Sequence, residues 1–407
     1  MPKAVTLASD GGAVASTPLL RWLDTPTALV LAWVIAIFVG LRLALLTGST
    51  TVGEVDFLVF HAASQLFLSG EIASLFDNEA FTAVHGLEGR IRWLYPPHVF
   101  VLVGPLSFLE QAPARFVLGA FGVGFYVLAT LWLFRVVAPT APRALRILAA
   151  APPTCVIILG TGHLTQIWLA CLIAGFAFWG RGHAVAAGIM IGLATFKPSL
   201  GPLVLLAVLT TRDWRVILSA SLSALLAMGL STLTVGWEYW PLLLDKMAEH
   251  MASTGDPTDP SYVGLLLSAK GYLLALGAPV LLADVVQALL TISILSVTIA
   301  AWRDDRLPAA SRIGILLVLL PMVLPNIWYY DSFPMALGAA LLVAGGTLGA
   351  GPWGIALAIL VYLNVLPVLL ASGYAGLATV PAAIGTVVIA IRAIRAAGRL
   401  PSAAETH

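Results

Sequence analysis

The chain has 407 residues, of which 60% are apolar and only 10% charged, with a mean hydropathy of +0.97. A soluble protein carries roughly 25% charged residues to keep its surface in water, so a soluble domain organisation is excluded. A formal net charge of +1 gives no basic stripe of the kind a nucleic-acid partner requires. The expectation is a single polytopic all-α integral-membrane domain over 1–407, surrounded by membrane lipids.

A helix needs roughly 20 largely apolar residues to cross the hydrocarbon. In chain order, charge-free stretches run over 25–41, 116–134, 147–180, 182–196, 198–211, 216–237, 285–302, 313–330 and 332–391. The stretch 147–180 is broken at Gly-Thr-Gly-His and predicts two short crossings. Breaks near Gly345-Gly346 and Ser372-Gly373 divide 332–391 into three. The expected total is about 12 transmembrane helices. The implied layout is a first span at 25–46 and an outer loop with juxtamembrane helices at 47–114. Spans follow at 115–236, a second outer loop at 237–278, spans at 279–393 and a cytoplasmic tail at 394–407.

Residues 93–109 are apolar but short and carry Pro96, Pro97 and Pro105. If this segment does not cross, 14 of the 21 Lys and Arg fall on the side of the N-terminus. If it crosses, the bias reverses. The positive-inside rule therefore predicts a re-entrant or juxtamembrane segment, cytoplasmic N- and C-termini, and a multi-pass protein of the plasma (inner) membrane. Under that layout 14 of the 20 acids lie outside, and function is expected on the outer face. The first span reads as a retained signal anchor, since Arg42 interrupts its end and no clear small-residue cleavage site follows.

The first outer loop opens Gly53-Glu54-Val55-Asp56-Phe57. Residues 57–68 have apolar positions at helical spacing and suit an amphipathic helix lying on the bilayer. Asp56 reads either as the N-cap of that helix or, with Glu54, as a reactive carboxylate. The loop ends Arg90-Ile91-Arg92-Trp93-Leu94-Tyr95-Pro96-Pro97. Arg90, Arg92, Trp93 and Tyr95 suit a lipid-linked phosphate, or equally an interfacial belt of aromatic residues with snorkelling Arg.

Polar residues inside apolar stretches are costly and point to function. His163 and Gln166 fall at a helix break, and Lys197 interrupts a 30-residue apolar run. Trp328, Tyr330 and Asp331 end the next polar segment. Snorkelling remains open for Lys197 and helix capping for Asp331. No Walker loop, His-Glu-x-x-His or Cys-x-x-Cys occurs. Cys155 and Cys171 lie in apolar runs and read as buried filler. Neither a cofactor nor a metal is expected.

Several of these motifs taken together carry a resemblance: Gly-x-x-Asp-Phe after the first span, Ala-Ala-x-x-Leu-x-x-Gly at 62–70, Tyr-Pro-Pro, a Lys-Pro after a Gly-rich span, and aromatic-Tyr-Asp near the end. The chain resembles the family 87 glycosyltransferases, integral-membrane enzymes of the C-type glycosyltransferase fold. They include polyprenol-phosphate-mannose-dependent mannosyltransferases. The resemblance covers about residues 25–345. It implies a polyprenyl-phosphate sugar donor, a lipid or glycan acceptor, transfer at the outer face, and Asp56 as the base. Many relatives carry Trp-x-His where this chain has Trp328-Tyr329-Tyr330, which points to Tyr330 or Asp331 in that His's place. A transporter of lipid-linked sugar is the competing expectation. It is weakened by the long first outer loop and the lack of an evident internal repeat. A membrane acyl- or phosphotransferase would call for a catalytic His or Ser motif that is not found.

Overall fold

The computed structural model describes residues 17–46, 55–87, 92–253, 263–349, 351–364 and 376–397. The described chain is helical, with a single isolated antiparallel bridge between Leu266 and Trp328. Its α-helices are α1 (Pro18–Leu23), α2 (Pro26–Leu46), α3 (Val55–Ser69), α4 (Asn78–His85), α5 (Phe100–Val103), α6 (Gln111–Val137), α7 (Arg143–Ala150), α8 (Thr154–Thr161) and α9 (Thr165–Gly180). They continue as α10 (Ala184–Leu193), α11 (Gly201–Thr211), α12 (Trp214–Val235), α13 (Tyr239–Ser253), α14 (Ala269–Ala275), α15 (Val280–Arg303), α16 (Ala309–Leu319), α17 (Phe333–Ala344), α18 (Pro352–Tyr362) and α19 (Gly376–Ala397).

Among the described residues five helical segments are long and apolar enough to cross a membrane: Gln111–Val137, Arg143–Thr161, Trp214–Val235, Val280–Arg303 and Gly376–Ala397. Seven shorter apolar helical segments, including Thr165–Gly180, Ala184–Phe196 and Pro198–Thr211, pack among or beside them. Apolar residues fill the interior and also cover much of the outside. α16 and α17 are buried along their whole length, and α9 nearly so. α12 and α15 turn Leu218, Leu222, Leu230, Leu281, Leu289 and Ile292 outward, where more than half of each is exposed. Contiguous apolar surface of that extent needs an apolar surrounding, which lipid provides.

Small residues let the helices approach. A Cβ on Gly188 or Gly192 of α10 would collide with the backbone of α12, so this Gly-xxx-Gly face brings two backbones into contact. Gly314 of α16 and Gly338 of α17 meet in the same way.

Several sequence expectations need correction. The stretch 313–330 is not one span: helix ends at Met322, after a 3-10 turn, and the chain is irregular until the 3-10 turn Tyr329–Ser332. Pro321 and Pro325 account for the early end, since proline removes a backbone donor and restricts its predecessor. α3 does not have the single apolar face of a helix lying on a bilayer. Phe57, Val59, Phe60, Ala62, Ala63, Ser64 and Leu66 are all buried within the protein, so α3 is packed on most sides. The segment 97–108 forms a short 3-10, α, 3-10 succession against α3.

Candidate active site

The site begins with the break between α8 and α9. Gly162 adopts φ +70°, a left-handed conformation that glycine takes without cost. It ends α8 and turns His163 inward. Its missing side chain also matters, because a Cβ there would overlap Phe57. That close approach seats the first turn of α3 on the α8–α9 corner. Asp56, in that first turn, thereby hydrogen-bonds the Thr161 side chain and comes within electrostatic reach of Lys197 and Asp331.

Lys197 occupies a second break. The 3-10 turns Ala194–Phe196 and Pro198–Leu200 flank it, and Pro198 prevents α10 from continuing. Its side chain is buried and donates to the Asp331 carboxylate and, at 2.7 Å, to Thr165 Oγ1. This fixed ion pair replaces the snorkelling alternative for Lys197. It also replaces the capping alternative for Asp331, which lies in the 3-10 turn ahead of α17 with its carboxylate turned to the ammonium.

His163 closes the network. Its Nδ1 accepts from the Thr165 amide at 3.1 Å and lies 2.6 Å from Thr165 Oγ1. The ring proton is thereby assigned to Nε2, which lies 3.3 Å from the Tyr95 hydroxyl. Tyr330 stacks on the imidazole at 4.3 Å between centroids, and its ring lies 5.3 Å from Lys197 Nζ. Trp328 lies parallel to Tyr330 at 6.4 Å. Two backbone hydrogen bonds hold this aromatic segment against residues 265–267: Leu267 N–H to Ile327 O at 2.9 Å and Tyr329 N–H to Leu265 O at 3.0 Å.

Asp56, His163, Lys197, Tyr95, Tyr330 and Asp331 thus converge from five separate stretches of chain. Burial pushes the Asp56 carboxyl up to about 7, against the opposing pull of Lys197. The side chain keeps partial exposure, so an incoming hydroxyl has access. A carboxylate balanced near neutrality can accept a proton, while a buried ammonium within electrostatic reach of it can support a departing anion.

The remaining sequence candidates are placed elsewhere. Trp93 is wholly buried, donating from Nε1 to the Tyr239 hydroxyl at 2.6 Å, while Tyr239 donates to Tyr95 O at 2.6 Å. It supports Tyr95 from behind and is no part of a surface aromatic belt. Arg92 is engaged by α13 instead of the Lys197 network. It bonds Glu249 at 3.1 Å and lies 3.4 Å from His250, and Lys246 reaches the same Glu249 at 2.7 Å. Hydrogen bonds from Lys246 hold the Glu249 carboxyl down at about 2, so this clamp between α13 and the 92–95 segment stays ionised at physiological pH. Gln166 turns toward α6, where Gly122 leaves room for its amide. Glu54 and Arg90 lie outside the described residues. Thr161, Thr165 and Tyr239 were not anticipated. Thr165, two residues after His163, stands in the same polar break and carried a signal; Tyr239 carried none.

Donor atoms for a metal are sparse: among the described residues no three of His, Cys, Asp and Glu group together.

A family model, Glycosyltransferase family 87, matches residues 93–325, more than half of the chain. Comparison with curated proteins and with solved structures finds no match. The matched stretch contains Tyr95, His163 and Lys197, while Asp56 lies well upstream of it and Tyr330 and Asp331 just beyond its end. An all-helical chain with apolar candidate spans, a polar cluster at its helix breaks and this match belongs to glycosyltransferase family 87.

Proposed function

We propose that this membrane glycosyltransferase moves a sugar, mannose or another hexose or pentose, from a polyprenyl-phosphate donor to a lipid or glycan acceptor. Transfer takes place at the outer face of the plasma membrane, by direct displacement with inversion. The observation that carries this reading is Asp56 within electrostatic reach of buried Lys197 at breaks between apolar helices. The acceptor oxygen attacks the anomeric carbon as the bond to the phosphate oxygen breaks. The hydroxyl proton passes to the Asp56 carboxylate, and the electron pair leaves on the polyprenyl phosphate. Lys197, a three-proton donor, exchanges part of its bonding to Asp331 and Thr165 for the phosphate. His163 and Tyr330 line its approach.

The apolar part of such a donor needs a dry groove. A cavity of about 460 Å³ lies among α9, α10, α11 and α12, lined by Trp168, Thr195, Pro198, Val204 and Ala224. Thr195 and Pro198 flank Lys197, so a lipid phosphate can place its head at the ammonium and its chain in the groove. The displacement needs one base and one cation, both of which the chain supplies.

The test uses purified protein in nanodiscs with a radiolabelled polyprenyl-phosphate sugar. Release of free polyprenyl phosphate with an inverted glycosidic product is expected. Movement of intact donor between leaflets without turnover would favour the transporter reading instead.

A further inference from the structure

A second cavity lies on the opposite side of the helix that carries Asp56. It is an open hollow of about 560 Å³ between α3, α4, the 3-10 turn Gly104–Phe108 and the start of α6, within the size range of small-molecule sites. At 3.6 residues per turn, His61 and Gln65 of α3 stand roughly half a turn from Asp56. An occupant there leaves the face toward Lys197 free.

Among the described residues the lining is polar and holds no Lys or Arg. His61, Gln65, His85, Glu110 and Gln111 contribute hydrogen-bonding groups, and Phe108 contributes a ring that is 75% exposed. His61 Nε2 lies 3.1 Å from Leu109 O, which assigns it the ring proton and leaves Nδ1 as an acceptor. His85 has the reverse arrangement, since its Nδ1 accepts from the Leu87 amide at 3.1 Å, leaving Nε2–H as a donor. Among the described residues that buried nitrogen has no hydrogen-bond partner, and His85 as a whole is 6% exposed. Buried donors without partners are uncommon and costly.

Charge narrows the occupant. A phosphate or sulfate needs a cation, and the wall offers a carboxylate instead. A metal ion would find two imidazoles and one carboxylate on separate elements, not grouped for ligation. Two imidazoles, two flexible amides, one carboxylate acceptor and one exposed aromatic ring match a polyhydroxylated group, in which every hydroxyl both donates and accepts.

We infer that this cavity between α3, α4 and the head of α6 is a binding subsite for a neutral sugar unit of the acceptor, remote from the hydroxyl that reacts. The inference rests on the glycosyl-transfer reading for the word acceptor, but binding of sugar at this place is separable from it. Binding energy gained at a remote unit can be used to orient the reacting one. Such a unit reaches the cavity either as a free oligosaccharide or as the headgroup of a glycolipid.

Saturation-transfer NMR with α-mannotriose on the full chain in nanodiscs tests this without turnover. Equal binding is expected for the parent and Asp56→Asn proteins. At least tenfold weaker binding is expected for Gln65→Ala/Gln111→Ala and for Phe108→Ala, which alters an exposed ring and leaves the core intact. The same glycan on a lipid in the nanodisc, binding tenfold tighter than the free sugar, would assign the headgroup source; equal affinity would assign the soluble one. Loss of binding in Asp56→Asn with retention in the cavity variants would overturn the inference, as would displacement of the sugar by inorganic phosphate or the absence of any signal at millimolar sugar. Failure of sugar transfer with binding intact would instead strike the proposed reaction and leave the subsite standing.

Discussion

Asp56 is where the chemistry and the stability of this protein oppose each other. Its carboxyl, raised from 3.8 to about 7 by burial, binds a proton in the folded state over a pH range in which the unfolded chain has lost it. The contribution of this group to stability is therefore present below about pH 4 and declines as pH rises through 7. Base catalysis runs the other way, since only the ionised form accepts a proton. Transfer should rise with pH with a midpoint near 7. Asp56→Asn should lower transfer by about 10²–10⁴ while melting no lower than the parent at pH 8, where the parent carries the buried charge. Full activity in that variant would remove Asp56 as the base. The Lys197–Asp331 pair permits a parallel test. Removing one partner leaves the other buried and uncompensated, at a cost of about 3–5 kcal/mol. Lys197→Met and Asp331→Leu should each melt well below the parent, and the double variant should recover much of the loss while staying inactive. Chemical denaturation read alongside donor turnover separates the two effects. Each residue of this pair was visible in the sequence as an ionisable group in an apolar stretch. Their partnership was not, because 134 positions separate them and no local pattern encodes so distant a contact.

Elements meet at this site through breaks and small residues. Gly162 combines a positive φ with the close approach of Phe57, so Gly162→Ala should cost both backbone strain and overpacking, about 1–3 kcal/mol. It should also reduce transfer, because the first turn of α3 must move away from the α8–α9 corner. A variant with parental melting temperature and rate would show that the corner does not position Asp56. The breaks at 160–163 and at Lys197 were legible because glycine, proline and charge punctuate apolar runs in a recognisable way. The environment of α3 was not. Its apolar positions look the same whether they face lipid or a protein interior, since both are apolar, and only neighbouring helices decide between them. The early end of α16 had its own signal in Pro321 and Pro325, which hydropathy alone passes over.

At the scale of the whole molecule, contacts join the helix ends into two groups. At one end Trp179 donates to Asp213 at 3.0 Å, Trp179 and Trp302 lie 6.1 Å apart, and Arg306 reaches Ala397 O at 3.1 Å. At the other, Lys197 meets Asp331, Tyr95 meets His163, and Arg92 meets Glu249. The first end carries Arg135, Arg181, Arg212, Arg215, Arg303 and Arg306, and the second carries the acid-rich segments around α3, α4 and α13. The contacts thus set these basic helix ends apart from the end that holds Lys197 and Asp331. The orientation we propose puts the basic end in the cytoplasm, where the positive-inside rule places it. Single cysteines test it directly, because native Cys155 and Cys171 are both buried. An impermeant maleimide added to intact cells should label Asn78→Cys and Glu238→Cys. Arg143→Cys and Arg212→Cys should react only after the cells are opened. Labelling of the two Arg positions in intact cells would invert the protein and bring the Asp56–Lys197 cluster to the cytoplasmic face. The donor would then have to be a lipid-linked sugar presented from inside, and the same base and cation would act on it from the opposite side of the bilayer.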